Sequence, residues 1–182
     1  MKVFIVGAGP GDPELITVKG QKLLSEADII IYAGSLVNPA LLDYAKEGCE
    51  IHNSASMTLP QVIEVIKNGV AQDKMVVRLH TGDPSIYGAI QEQMDELDKL
   101  GIEYRVVPGV SSFLATAAAL KQEYTLPGIS QTVIITRNEG RTPVPDREKL
   151  RSLAEHQATM CIFLSITMLD KVVEELIAGG YE

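Results

Sequence analysis

Cysteine is scarce in this 182-residue sequence: Cys49 and Cys161 stand far apart, and neither has a second cysteine or a histidine at metal-ligand spacing. That excludes a disulfide framework and a zinc site, fits a reducing compartment, and leaves no metal to expect. Basic charge is also short, with 16 Lys and Arg against 24 Asp and Glu for a net charge of −8. So acidic a chain lacks the basic face that phosphate backbones require, and nucleic acid is not an expected partner. Long apolar runs are missing too. Residues 160–169, the longest, contain Ser165 and Thr167 and reach about half the length of a bilayer span. The opening MKVFIVGAG passes straight into a strand and a glycine turn without a secretory leader. A cytoplasmic protein with no membrane partner is expected. What is present suffices for a core: 46% of residues are hydrophobic and 22% charged, which argues against disorder, and the length suits one full domain with a remnant or two small ones.

Apolar runs rich in Val and Ile alternate with helical patterns. Strands are predicted at residues 3–6, 28–32, 75–79 and 104–107. Helices are predicted at residues 14–25, from Asn38-Pro39, after the capping box Thr58-Leu59-Pro60-Gln61, at 86–100 and at 111–120. The helix at 111–120 is Ala-rich over 115–119 and predicts close packing against a sheet. Strands apolar throughout, rather than alternating, belong to a parallel sheet covered on both faces. Near Leu126-Pro127-Gly128 the rhythm pauses, and a second series follows: a strand at 131–136, a helix at 146–155, a strand at 159–164 and a helix at 168–178. The expected fold is two α/β domains, residues 1–125 with a mostly parallel sheet and residues 126–182 as the start of a second. Two strands and two helices are too few to cover a parallel sheet on both faces.

Three glycine loops follow predicted strands: Gly7-Ala8-Gly9-Pro10-Gly11-Asp12-Pro13, Thr81-Gly82-Asp83-Pro84-Ser85-Ile86-Tyr87-Gly88, and Val107-Pro108-Gly109-Val110-Ser111-Ser112. All three therefore belong to the carboxyl edge of one parallel sheet, where open α/β folds bind ligands. The first nearly matches a dinucleotide fingerprint, but Asp12 stands where the third glycine belongs. Pro10 removes an N–H that a pyrophosphate would use, and the second strand ends Tyr32-Ala33-Gly34 without an acid for a ribose. No loop has a lysine beside its glycines, which excludes a P-loop. Backbone amides and carbonyls, the hydroxyls of Thr81, Ser111 and Ser112, and the Asp83 carboxylate suit a neutral or cationic ligand carrying adenine, ribose and an amino-acid tail. S-adenosylmethionine fits, because its sulfonium tolerates an acidic surround.

These three motifs, in this order and spacing, resemble the tetrapyrrole (corrin/porphyrin) methylases over essentially the whole chain. Tyr32-Ala33-Gly34-Ser35-Leu36-Val37, His52-Asn53-Ser54-Ala55-Ser56-Met57 and Leu79-His80-Thr81-Gly82-Asp83-Pro84 resemble the branch that methylates precorrin-4 at carbon 11 in cobalamin synthesis. The resemblance implies a homodimeric enzyme with S-adenosylmethionine folded between two α/β domains. It implies cofactor contacts from Pro10 in the first loop, from Thr81, Gly82, Asp83 and Ile86 in the second, from Ser111 and Ser112 in the third, and from Leu164 after the strand TMCIFL. In the uroporphyrinogen-methylating branch an acid follows the Tyr of the second strand, where this chain has Ala33. The family's second domain also continues beyond the position of Glu182, with further strands and cofactor contacts. A methylase of the same fold with another corrin or porphyrin precursor, and a cofactor-binding module without turnover, are the alternatives.

Methyl transfer from a sulfonium to a nucleophilic pyrrole-derived carbon needs placement and exclusion of water more than a strong base. The sequence accordingly shows no Ser-His-Asp or Cys-His arrangement and singles out no catalytic residue. Candidate contacts to a tetrapyrrole with many carboxylates are Arg137 and Arg141, which could form bidentate pairs, and His52 and His80, each placed just past a strand. Tyr87, one turn into the helix at 86–100, either lines the cleft or packs internally. Arg147, Lys149 and Arg151 read as a solvated helix face, and His156 as inert.

Overall fold

A computed structural model describes residues 2–182. The chain divides into two compact units, Met1–Ala115 and Thr116–Glu182. The division falls inside a helix, ahead of the Leu126-Pro127-Gly128 turn.

The first unit is a five-stranded parallel sheet. In chain order it comprises β1 (Val3–Gly7), α1 (Val18–Glu26), β2 (Ile29–Tyr32), β3 (Glu50–Asn53), α2 (Leu59–Ala71), β4 (Val76–His80), α3 (Gln91–Lys99), β5 (Tyr104–Val107) and the first residues of α4 (Ser112–Leu120), the helix in which the division falls. The strand order is β3-β2-β4-β1-β5, and every pair is parallel. The continuous apolar runs predict this burial, since Val3, Val6, Ile30, Ile31, Val76 and Val77 are all fully buried. One face packs Val6, Ile30, Val77 and Leu79 against Leu23 and Leu24 of α1. The other packs Val3, Ile29, Ile31 and Val76 against Val62 and Ile66 of α2 and Leu97 of α3. Leu24 is 0% exposed, so Leu24→Ala should lower unfolding stability by about 2–5 kcal/mol, a transfer loss plus a cavity. A shift of the urea midpoint at constant slope is the readout.

Several elements differ from their expected bounds. The first helix begins at Val18 rather than Glu14, because the Thr17 hydroxyl caps it by accepting from Gly20 N at 3.0 Å. The Asp12 carboxylate caps a separate 3-10 turn, Pro13–Leu15. Asn38-Pro39 opens a 3-10 segment, with Asn38 Oδ1 accepting from Ala40 N at 3.0 Å. At Thr58, the backbone N–H donates to Gln61 Oε1 at 2.8 Å, as the capping signature predicts. α3 begins at Gln91, not Ile86, since Pro84 and positive φ at Tyr87 (54°) and Ala89 (48°) hold the preceding residues in turns. α4 buries none of its residues. The expected close packing of the Ala-rich helix against a sheet is therefore corrected.

The second unit pairs β6 (Val133–Arg137) with β7 (Thr159–Phe163) in parallel, and carries α5 (Leu150–Ala154) and α6 (Leu169–Ala178). The expected helix at 146–155 is a 3-10 turn at Asp146–Glu148 and the short α5, separated by an extended Lys149. Leu150, Ala154, Ala158, Cys161 and Val172 are its buried hydrophobic residues, and Gly179 lies against Ala154 and Arg151 where a side chain would collide. Both cysteines are free, and among the described residues no cluster of His, Cys, Asp and Glu could hold a metal ion. Among the described residues, no helix is long and apolar enough to cross a membrane.

Candidate functional site

β4, β1 and β5 are neighbours in the sheet, so their three following loops emerge side by side. They are also bonded to one another. Ala8 N donates to His80 O at 2.7 Å, and Gly9 and Gly82 exchange N–H···O bonds of 3.2 and 2.8 Å as an isolated antiparallel bridge. Asp83 ties the second loop to the third: its Oδ2 accepts from Gly109 N at 2.9 Å, and its Oδ1 accepts from Ser85 N at 2.8 Å and from the Ser85 hydroxyl. Burial works against the charged form of Asp83, yet the bonds from Ser85 and Gly109 outweigh it and hold the carboxyl below its ordinary range.

Only glycine fits where these loops meet. A Cβ on Gly7 would lie 2.6 Å from Gly109 Cα and from Gly82 O, and one on Gly109 would overlap Gly82 O outright. A Cβ on Gly82 would stand 3.7 Å from Ser111 Cα, which brings the start of α4 to the same rim. Gly9, Gly11 and Gly82 have φ of 80°, 125° and 57°, and a Cβ on Gly11 would meet open space. The first loop thus presents bare backbone outward, while the glycines at its base allow three chains to touch.

Each candidate residue has a definite place. Pro10, Thr81, Asp83 and Ile86 are half-buried, Gly82 and Ser111 buried, and Ser112 exposed at the first turn of α4. Loop residues 7–13, 81–88 and 107–112 contain no Lys or Arg, and Asp12 and Asp83 are their only charges. That donor set suits a sulfonium and is ill matched to a phosphate. In the second unit, Leu164 follows β7 at a φ of 54°, is 67% exposed, and lines a cavity of about 310 Å³ with Ile162, Ile166 and Leu169.

The expected placements of the histidines and Tyr87 need correction. His80 is the last residue of β4 and His52 lies within β3, so neither is past its strand. β3 is short, polar and half-exposed, and lacks the apolar signature of the other strands. His80 is buried, and its Nε2 makes no hydrogen bond. Burial, then the Arg78 charge, draws the His80 pKa down to about 3 with Gln93 opposing, so the imidazole is neutral near pH 7. His52 Nε2 stands 3.7 Å from Glu50 Oε2. Tyr87 occupies an exposed left-handed turn, not a helix. The Arg137 guanidinium donates to the carbonyls of Asn138, Thr142 and Pro143 at 3.2, 3.1 and 3.0 Å, which fastens the loop after β6. Arg141 is exposed.

Arg78 escaped the sequence reading. It lies in the central strand β4 at 7% exposure, lines a cavity of about 310 Å³ and, among the described residues, donates only to neutral oxygens. A charged residue inside the run MVVRLH was the available signal.

The chain is similar to known proteins over essentially its whole length. Residues 2–182 match the family model of the Tetrapyrrole (Corrin/Porphyrin) Methylases. The cobalt-precorrin-4 C(11)-methyltransferase of Methanocaldococcus jannaschii is 67% identical over 180 residues, which cover 99% of this chain and 70% of that protein. The X-ray structure of a cobalamin biosynthetic enzyme, cobalt precorrin-4 methyltransferase, is 50% identical and superposes with a TM-score of 0.96 over 99% of this chain and 75% of that one. A uroporphyrin-III C-methyltransferase from Thermus thermophilus, solved with S-adenyl homocysteine, is 28% identical with a TM-score of 0.80, over 100% of this chain and 74% of that one.

Proposed function

The chain belongs to the tetrapyrrole (corrin/porphyrin) methylases, and from that premise we propose that it transfers a methyl group from S-adenosylmethionine to carbon 11 of precorrin-4 in its cobalt form, a step of cobalamin biosynthesis. The observation that carries this reading is the interlocked rim of three glycine loops without a basic residue. The relative at 67% identity and the enzyme structure at 50% support the choice of substrate, and the uroporphyrin-III enzyme at 28% identity stands further off. The Thermus structure supports the cofactor, since it was solved with the demethylated form. A cytoplasmic homodimer is the expected setting.

When bound, S-adenosylmethionine supplies an electrophilic methyl group on a sulfonium. In this reading the first loop offers its backbone around Pro10, and the second offers Thr81, Gly82 and Ile86. Ser111 and Ser112 contribute from the third loop. Asp83 acts by clamping the second loop to the third, because both of its oxygens are occupied by Ser85 and Gly109. Its ionised state, kept by those bonds, adds negative potential that suits a cation. His80, neutral and buried, can offer a ligand a neutral hydrogen bond through Nε2 but no charge. His52, Tyr87 and Arg141 remain candidate tetrapyrrole contacts, whereas Arg137 would first have to release three carbonyls. No residue need act as a strong base, since the accepting carbon is an enamine position and the main task is alignment in a water-poor site.

Incubation of the protein with cobalt-precorrin-4 and S-adenosylmethionine carrying a 13C-methyl group should place the label at carbon 11 in the product's NMR spectrum. Label at another carbon would assign a different substrate position. Absence of transfer by folded protein that binds cofactor would leave a binding module instead.

A further inference from the structure

Buried charge is expensive, and the centre of this sheet holds one without an opposite charge. Arg78 is 7% exposed, in register with Ile5 on β1 and Ile31 on β2, so it faces the same side as the apolar layer under α2 and α3. Its Nε donates to Gln93 Oε1 at 3.0 Å and its Nη1 to Ile31 O at 3.1 Å, both neutral acceptors. Among the described residues no carboxylate forms an ion pair with it. Burial lowers its pKa to about 10, which still leaves it charged near pH 7. A guanidinium carries five donors in a rigid fork, so two bonds leave the Nη2 edge uncommitted.

The Arg78 side chain also borders open space. Arg78 and Gln93 line a cavity of about 310 Å³ together with Ser54, Met57, Leu59 and Glu92. Glu92 is exposed and does not pair with Arg78. The next residue of β4 on the same face, His80, has a buried Nε2 that makes no hydrogen bond among the described residues, although Gln93 acts on the ring. A purely structural staple would be expected to have a carboxylate or further carbonyls around the fork, because desolvation of an unpaired charge costs several kcal/mol. An anion from outside the protein meets the same need.

We propose that Arg78 is a carboxylate-recognition residue: one acetate or propionate side chain of the tetrapyrrole enters this cavity and takes the free edge of the guanidinium in a charge-assisted pair. The inference rests on the methylase reading for the identity of the ligand, and it names the residue that orients that ligand from the first unit. It also accounts for a charge within an otherwise apolar strand.

Gln93→Glu separates this role from a structural one. The new carboxylate keeps the bond to Arg78 Nε and supplies the missing counter-charge, while the Gln93 Nε2 bond to Ala89 O at 3.0 Å is lost; the two effects oppose, so the variant should stay folded while the anion subsite is neutralised from within. Titration of uroporphyrin III, followed by its fluorescence, into the wild type and Gln93→Glu should show a dissociation constant at least tenfold higher for the variant. Steady-state kinetics should show the same rise in KM for cobalt-precorrin-4, with the KM for S-adenosylmethionine within twofold. Arg78→Lys, which retains charge but not the fork, should fall between the wild type and Arg78→Gln. Equal affinity of wild type and folded Gln93→Glu for uroporphyrin III, or no binding by either, overturns the proposal. Failure of the wild type to methylate cobalt-precorrin-4 would overturn the methylase reading, while the uroporphyrin titration still decides the Arg78 subsite.

Discussion

Gly109→Ala should abolish measurable cofactor binding and substantially destabilise the first unit. The added Cβ would overlap Gly82 O and approach Gly7 Cα to 2.8 Å, and both obstacles are backbone that cannot rotate aside. The third loop must then withdraw, breaking the Gly109 N–H bond to Asp83 Oδ2. Overpacking of this kind costs about 1–3 kcal/mol, and the separated loops should weaken binding of S-adenosylhomocysteine at least about a hundredfold, roughly 2.7 kcal/mol. Gly11→Ala is the informative contrast. Its Cβ would meet nothing within 4 Å, so only the positive φ of 125° is strained, a penalty of about 1–3 kcal/mol confined to the loop. Calorimetric titration of both variants, with unfolding curves alongside, distinguishes steric failure at the rim from ordinary backbone strain. Binding by Gly109→Ala at wild-type affinity would mean that the contact of the three loops is incidental.

Asp83→Ala should be nearly as damaging by a different route. It removes the acceptor for Gly109 N, Ser85 N and the Ser85 hydroxyl together, which leaves the partly buried Gly109 N–H without its partner. Bonds to a charged acceptor contribute about 1.5–3 kcal/mol each, so a net loss of about 2–4 kcal/mol is expected, with affinity for the cofactor falling at least about tenfold. The pH dependence follows from the sign of the shift. The folded-state pKa of Asp83 lies below that of an ordinary aspartate, so its contribution is fully present above the unfolded pKa and is lost as pH falls through the folded value. The stability difference between wild type and Asp83→Ala should therefore be flat from about pH 7 to 5 and shrink below pH 4. A difference that grows on acidification would contradict the assigned bonds.

The rim was legible in the sequence because three glycine-rich segments each follow an apolar run, and parallel connectivity forces such segments to one edge. What could not be read was how the loops hold together. Asp83 reads equally as a ligand group or a turn former, and in the fold both of its oxygens are tied to Ser85 and Gly109. β3 was hidden because Glu50–Asn53 is a four-residue edge strand with exposed Glu50, Ile51 and Asn53, lacking both continuous apolarity and alternation. The start of α3 was misplaced because left-handed Tyr87 and Ala89 carry no glycine signature. Arg78 was absorbed into a run of Val and Leu whose apolar character is otherwise correct, so its isolation emerged only from burial and hydrogen-bond partners.

Titration of S-adenosylhomocysteine into the intact protein by isothermal calorimetry puts the three-loop cradle to the most immediate trial. The geometry requires saturable binding of one molecule per chain, retained in Gln93→Glu and lost in Gly109→Ala. The absence of heat from wild-type protein whose circular dichroism shows an intact α/β fold would contradict it.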